Sequence, residues 1–131
     1  MIVRRSTAEK AKGLVVQLRR AYDPPSPGDG SRLLVDRLWP RGVTNEKLKI
    51  VAWMRDLGPS DAPRKWFGHD PARWEGFRRR YMKELAGRKA LLRELIAHAR
   101  RGKLTLVYSA HDSVHNQAVV ISEVLERERM S

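Results

Sequence analysis

Residues Leu33 to Gly42 read LLVDRLWPRG, and the abrupt change of character inside this stretch decides the fold. The apolar run Leu33-Leu34-Val35, bounded by polar residues, predicts a buried strand, and Pro40-Arg41-Gly42 predicts the loop that leaves it. In open α/β sheets, ligands bind outside the carboxyl ends of the strands. Here that end carries Asp36, Arg37, Trp39 and Arg41, and charges taken out of water need partners. Two readings fit: a structural ion-pair network beside a packed tryptophan, or a binding or catalytic loop.

Working outward, residues 14–18 (LVVQL) are rich in β-branched side chains and predict a first strand that continues into Arg19 and Arg20. Residues 23–31 (DPPSPGDGS) hold three prolines and two glycines and break any regular element. The direction of the first strand stays open, because this connection holds no crossover helix. Residues 1–12 read as a polar leader and residues 13–131 as one domain.

Downstream, Thr44 or Asn45 can cap a short helical stretch whose apolar residues are Leu48, Ile50, Val51, Trp53 and Met54. Gly58, Pro59 and Ser60 end it. Ser60 or Asp61 can cap a further helix with Pro63 in its first turn, followed by an aromatic bend from Trp66 to Asp70. Trp74, Phe77, Tyr81 and Leu85 recur at spacings of three and four, which predicts a helix over 71–85. Arg78 falls inside its apolar face and needs an anion, either a buried carboxylate such as Asp36 or a bound ligand. A second amphipathic helix is expected over 88–101 with Gly102 as its cap, then a strand over 104–108 (LTLVY). The last helix is expected over 114–128, capped by Asp112 or Ser113, with Val114, Ala118, Ile121 and Leu125 on its inner stripe.

Strand, helices, strand, helix is a right-handed crossover pattern that makes the strands at 33–37 and 104–108 parallel. The expected fold is a single three-layer α/β domain with a short, mostly parallel sheet flanked by helices. Parallel strands would send the loop starting at Asp36 and the loop from Ser109 to Asn116 off the same edge, where they line one crevice. Its second wall, YSAHDSVHNQ at 108–117, is dense in groups that exchange protons. His111 and His115 straddle the expected helix cap and need not share a face, so the pair does not read as a metal site. Either histidine can act as an acid or base near neutrality, with Asp36 as the carboxylate of the set. Arg37, Trp39, Arg41, Arg78, Ser109, Asp112 and Asn116 are the expected ligand contacts.

The composition excludes several classes. The chain of 131 residues has no cysteine, which removes disulfides, thiolate nucleophiles and thiolate metal sites. No apolar run approaches the roughly 18 residues of a membrane helix, and no secretory signal opens the sequence, so a cytoplasmic protein without a membrane partner is expected. Ser109 lacks a nucleophile-elbow context, and neither a phosphate-binding loop nor a dinucleotide glycine fingerprint occurs, so no cofactor has positive support. The formal charge is +12, and residues 64–103 hold thirteen Lys or Arg against four acidic residues. That imbalance suits an acidic partner, or a solvated surface.

The VDRLWPRG and YSAHDSVHNQA segments together resemble domain-of-unknown-function family 488, in particular its small YeaO-like branch. Further matches are the Tyr-Asp-Pro at 22–24, Trp53, Pro59-Ser60, Arg64-Lys65, Phe67, His69, Phe77-Arg78, Tyr81 and Glu84-Leu85, so the likeness spans about residues 14 to 127. It implies a single α/β domain and no established substrate. A longer-chain branch of the family carries cysteines at places matching Tyr108 and Asn116, so a thiol or cysteine-ligated role there has no counterpart here. The resemblance implies polar groups at Asp36, Asp112 and His115 in both branches, and Arg37, Trp39 and Arg41 in this one.

Three functions compete. In the first, the crevice holds an anionic small molecule with phosphate or carboxylate groups, and His/Asp/Arg chemistry could act on it. In the second, a nucleic acid lies without sequence specificity on Arg73, Arg79, Arg80, Lys83, Arg88, Lys89, Arg93, Arg100 and Arg101. In the third, the charged cluster is only structural and the domain is a scaffold.

Overall fold

The computed structural model describes residues 15–130; the expected leader at 1–12 lies outside them. Its sheet has four strands: β1 (Val16–Arg20), β2 (Ser31–Leu34), β3 (Ala52–Trp53) and β4 (Leu104–Tyr108), in the order β1-β4-β2-β3. All pairings are parallel, with Leu106 of β4 facing Leu18 of β1 on one side and Leu33 of β2 on the other. Among the described residues the α-helices are α1 (Asn45–Leu48), α2 (Asp61–Phe67), α3 (Trp74–Ala86), α4 (Lys89–Arg101) and α5 (Gln117–Met130). This is the small α/β domain with a helix-flanked parallel sheet that the crossover pattern predicts.

The two faces of the sheet are covered unequally. Leu33, Val35, Leu104, Leu106 and Tyr108 pack on one side against Phe67, Phe77, Tyr81, Leu85, Leu92, Leu95 and Ile121, from α2 to α5. On the other side, Leu34 and Val107 meet only Ala21, Leu48 and the partly buried Trp39, Val43 and Ile50. Alternate residues of a strand point to opposite faces, so neighbouring apolar positions feed two cores of very different depth. No helix among the described residues is long and apolar enough to cross a membrane.

The direction of β1, open from sequence, is parallel to β4. The chain returns from β1 to β2 through residues 21–30 with no α-helix, only a 3-10 turn at Pro27–Asp29, since extended proline-rich backbone spans a five-residue strand in few residues. Asp29 anchors this return. Its buried carboxylate accepts from Gln17 Nε2 at 3.0 Å, the Ser26 amide at 3.0 Å and Arg32 Nη1 at 2.7 Å. Gly30 follows at φ 67°, where a Cβ would lie 2.2 Å from the Lys103 carbonyl oxygen, so only glycine admits this approach to β4.

The strand expected at 33–37 runs instead from Ser31 to Leu34, which leaves Asp36 and Arg37 beyond its end, and two helical expectations also differ. The helix after Thr44 is a single turn that ends at Leu48, because Lys49 takes the left-handed conformation (φ 51°) and the chain then runs into β3. Val51, expected among its apolar residues, is exposed, and Trp53 belongs to a strand. The last helix begins at Gln117, three residues later than expected. Asp112 caps a preceding turn instead, accepting from the amides of Val114 and His115 at 2.8 and 3.0 Å, and Asn116 Oδ1 accepts from Val119 N. Val114 therefore stands in solvent rather than on the inner stripe.

Candidate functional site: a cleft at the carboxyl ends of the strands

The segments after β2 and β4 leave the sheet side by side, as their parallel register requires, and the Ser109 amide donates to Asp36 Oδ2 at 3.0 Å. Around this contact opens a cleft of about 450 Å³. Residues 36–41 form one wall and residues 109–117 the other. A third side, from Arg64 to His69 of α2 and its exit, closes the space. That volume suits a small organic ligand.

Local rules place each group. β2 ends at Leu34, and Asp36 is buried two residues beyond it. Burial raises its carboxyl to about 6, against the Ser109 hydroxyl and amide, Gln117 and the charge of His69, which favour ionisation. Gln117 Nε2 donates to Asp36 Oδ1. No cation forms a salt bridge with Asp36 among the described residues. Arg37 lines the cleft but is anchored elsewhere, donating from Nε to the Pro59 carbonyl at 3.1 Å and from Nη2 to that of Gly58 at 2.8 Å. A Cβ at residue 58 would lie 2.5 Å from the Arg37 amide nitrogen, so the approach of these two backbones requires glycine.

Trp39 forms part of the wall, with its indole donating to the Val43 carbonyl at 2.6 Å and its ring meeting Trp53 edge-on at 5.3 Å. Trp53 donates to the Asp36 carbonyl oxygen at 2.7 Å and steadies the strand end from outside the cleft. Arg41 is exposed at the rim, and its guanidinium has no hydrogen bond or ion pair among the described residues. On the facing wall, His115 is held through Nδ1 by Asp112 Oδ2 at 2.8 Å and packs edge-on against Trp74. The His115 contact and the two amides together hold the Asp112 carboxyl down to about 2. This pair fixes the ring and leaves Nε2 for a partner.

Asp36, Arg37, Trp39, Arg41, Ser109, His115 and Asn116 thus share one cleft, with Asp112 behind His115. Arg78 does not join them. Its guanidinium lies on Glu123 of α5 in a two-pronged pair, both bonds 2.9 Å, so the anion is a protein carboxylate, as one of the two expectations had it, but a half-exposed Glu123 rather than Asp36. The inward arginine is answered by a helix-to-helix bridge that helical spacing within one element cannot reveal. His111 is exposed and outside the cleft lining.

The sequence reasoning missed the third side. Lys65 brings a second cation without a hydrogen bond or ion pair among the described residues, and Arg64 bonds to Asp61 at 2.9 Å while its Nε has no acceptor. His69 follows Gly68 in a second successive left-handed residue (φ 60° after 54°), a turn that brings it to the cleft. The signal for these residues was a cation pair close before a Gly-His turn. Of the nine cations expected to face a nucleic acid, Arg80 stacks on Trp66 at 3.9 Å and Arg73 donates to the Trp66 carbonyl. Arg88 donates to the Gly58 carbonyl. No group of three His, Asp or Glu among the described residues could hold a metal ion.

The fold and cleft define a small basic α/β domain with a cation-rimmed, aromatic-walled cavity at the carboxyl ends of a parallel sheet. The chain belongs to the DUF488-N3i family, described as the inactive DUF488-N3 subclade, which matches residues 15–131. It is 38% identical over 110 residues to the uncharacterized protein YeaO of Escherichia coli K12, covering 84% of this chain and 96% of that one. It is also 34% identical to the uncharacterized protein Rv3073c of Mycobacterium tuberculosis H37Rv, covering 84% and 92%. No solved structure matches the chain.

Proposed function

We propose that the cleft binds a small molecule bearing phosphate or carboxylate groups. The observation that carries this reading is the presence of two cations at one concave site, Arg41 and Lys65, whose side chains make no hydrogen bond or salt bridge among the described residues. The acid that Lys65 acts on is the exposed Asp61, already bonded to Arg64. The buried or half-buried Arg32, Arg78 and Arg37 are answered by Asp29, Glu123 and backbone carbonyls respectively, and what sets Arg41 and Lys65 apart from the unpaired cations of the outer helices is their place in a concave site. His115, held by Asp112, adds a ring nitrogen that can donate to an anion when protonated. The same pair could transfer a proton, but the description of the family as an inactive subclade favours binding without turnover.

A second reading, a nucleic acid on the outer helical face, is favoured by Arg79, Lys83, Lys89, Arg93, Arg100 and Arg101. These are exposed and without ion pairs among the described residues. One experiment separates the two. Phosphorylated and carboxylated metabolites and short oligonucleotides are titrated against wild type, Arg41→Ala and Arg78→Met at two salt concentrations. Arg41→Ala is expected to weaken a small anion about tenfold or more, the scale of a charge-assisted hydrogen bond, with little effect on stability. Arg78→Met, which removes a bridge between α3 and α5, is expected to cost about 1 kcal/mol of stability and leave affinity intact. Small-anion affinity unchanged in Arg41→Ala sinks the first reading, and oligonucleotide affinity that does not fall with salt sinks the second.

A further inference from the structure

The cleft is not uniformly cationic. Arg41, Lys65 and His69 stand exposed at its rim, whereas its floor is the buried carboxyl of Asp36 beside Phe67 and Phe77. A carboxylate accepts about four hydrogen bonds. Asp36 has only neutral donors on it, Ser109 and Gln117, in a chain with 27 Lys and Arg. A buried carboxylate needed only for structure is expected to have a cationic partner, as Asp29 does in Arg32. A bare anion cannot fill this cleft to its floor, because like charges repel most strongly where water is excluded.

We propose, resting on the anion-binding reading above, that the ligand is bipartite: a phosphate or carboxylate at the Arg41–Lys65 rim and a hydroxyl-bearing body whose O–H donates to Asp36. Asp36 is then the specificity-determining residue, and the ligand class is a phosphorylated polyol or sugar rather than a simple phosphate or an alkyl phosphate. Phe67 and Phe77 supply apolar contact for the carbon skeleton between the two polar ends. Gln117 and Ser109 orient the carboxylate, and their neutrality leaves its charge available to the hydroxyl.

The test compares matched ligands on the intact protein. Glycerol 3-phosphate and ribose 5-phosphate are titrated against propyl phosphate and inorganic phosphate, which carry the anion without a carbon-bound hydroxyl. Calorimetry gives the affinities, and the Asp36 carboxyl resonance reports direct contact. At least one of the hydroxylated ligands is expected to bind about tenfold or more tightly than propyl phosphate and to shift that resonance. Asp36→Asn is expected to abolish the preference while retaining propyl phosphate. Equal affinities in the wild type overturn the donor assignment and leave the anion reading standing, whereas binding of none of the four overturns the phosphorylated-polyol assignment and the phosphate half of the anion reading. The wild-type comparison decides the matter even if Asp36→Asn does not fold.

Discussion

Two buried aspartates bracket β2, and they are treated in opposite ways. Asp29, just before the strand, is fully enclosed and met by Arg32, Gln17 and the Ser26 amide, with Arg19 Nε at 3.5 Å. Burial pushes its carboxyl up, but these partners outweigh burial and hold it below the usual aspartate range. Asp36, just past the strand, is nearly as deeply buried, yet it meets only neutral donors and is raised to about 6. The first is a completed ion pair that pins the proline-rich return of the chain. The second faces a cleft with no salt bridge among the described residues, and feels the charge of His69 across that cleft. Burial alone therefore does not separate structure from function in this protein; the identity of the partner does.

The largest test of this contrast removes the Asp29 carboxylate. Asp29→Ala leaves Arg32 buried with one counter-ion gone, and Arg32 Nη2 has no acceptor even now. The expected loss is about 3–5 kcal/mol by urea unfolding. A loss below about 1 kcal/mol would place Asp29 with the weak surface pairs and erase the contrast.

The next effect is a pH dependence of opposite sign at the two residues. Asp36 ionises near 3.8 when unfolded and near 6 when folded, so the folded chain holds that proton more tightly. Its contribution is fully present below 3.8 and is lost as pH rises through 6, in total roughly 2–3 kcal/mol. Asp29, lowered on folding, contributes above 3.8 and loses its contribution as pH falls. Unfolding midpoints from pH 4 to 7 should therefore differ between wild type and Asp36→Asn by a slope confined to that window. Parallel curves would mean that Asp36 is already ionised at low pH.

The smallest effect sharpens the assignment of donors. Gln117→Leu removes one hydrogen bond that favours the ionised form, so Asp36 should titrate higher by part of a pH unit, about 1 kcal/mol or less. Carbon-detected NMR titration of the Asp36 carboxyl reads this directly. A shift downward would assign the stabilising contact to something other than Gln117.

Much of the crevice was legible because its residues sit at strand ends. LLVDRLWPRG and LTLVY are short apolar runs that stop at polar residues, and the intervening helices force parallel pairing, so Asp36 and Ser109 had to emerge together. Arg78 and the 64–69 wall show where that logic stops. An inward arginine can be read from helical spacing, but Glu123 lies forty-five residues away on another helix. The start of α5 was misplaced because Asp112 and Asn116 both suit a cap, and local preference could not say that Asp112 would hold His115 instead. The helical stretch after Thr44 failed for a different reason: pairing of Ala52 and Trp53 with β2 overrides the weak preference of one helical turn.

By itself the sequence determined an α/β domain with its second and last strands parallel, the absence of thiol chemistry and the charged strand end, since these depend on periodicity, composition and neighbouring residues; the direction of β1 and the existence of β3 were left to the fold. Tertiary structure decided which charges were answered: Arg78 by Glu123, Arg37 by the 58–59 carbonyls, Asp29 by Arg32, and Arg41, Lys65 and Asp36 by no opposite charge at salt-bridge distance among the described residues. The physical reason is range. Secondary structure follows from contacts within a few residues, whereas the fate of a charge depends on whatever group the fold brings within a few ångströms of it.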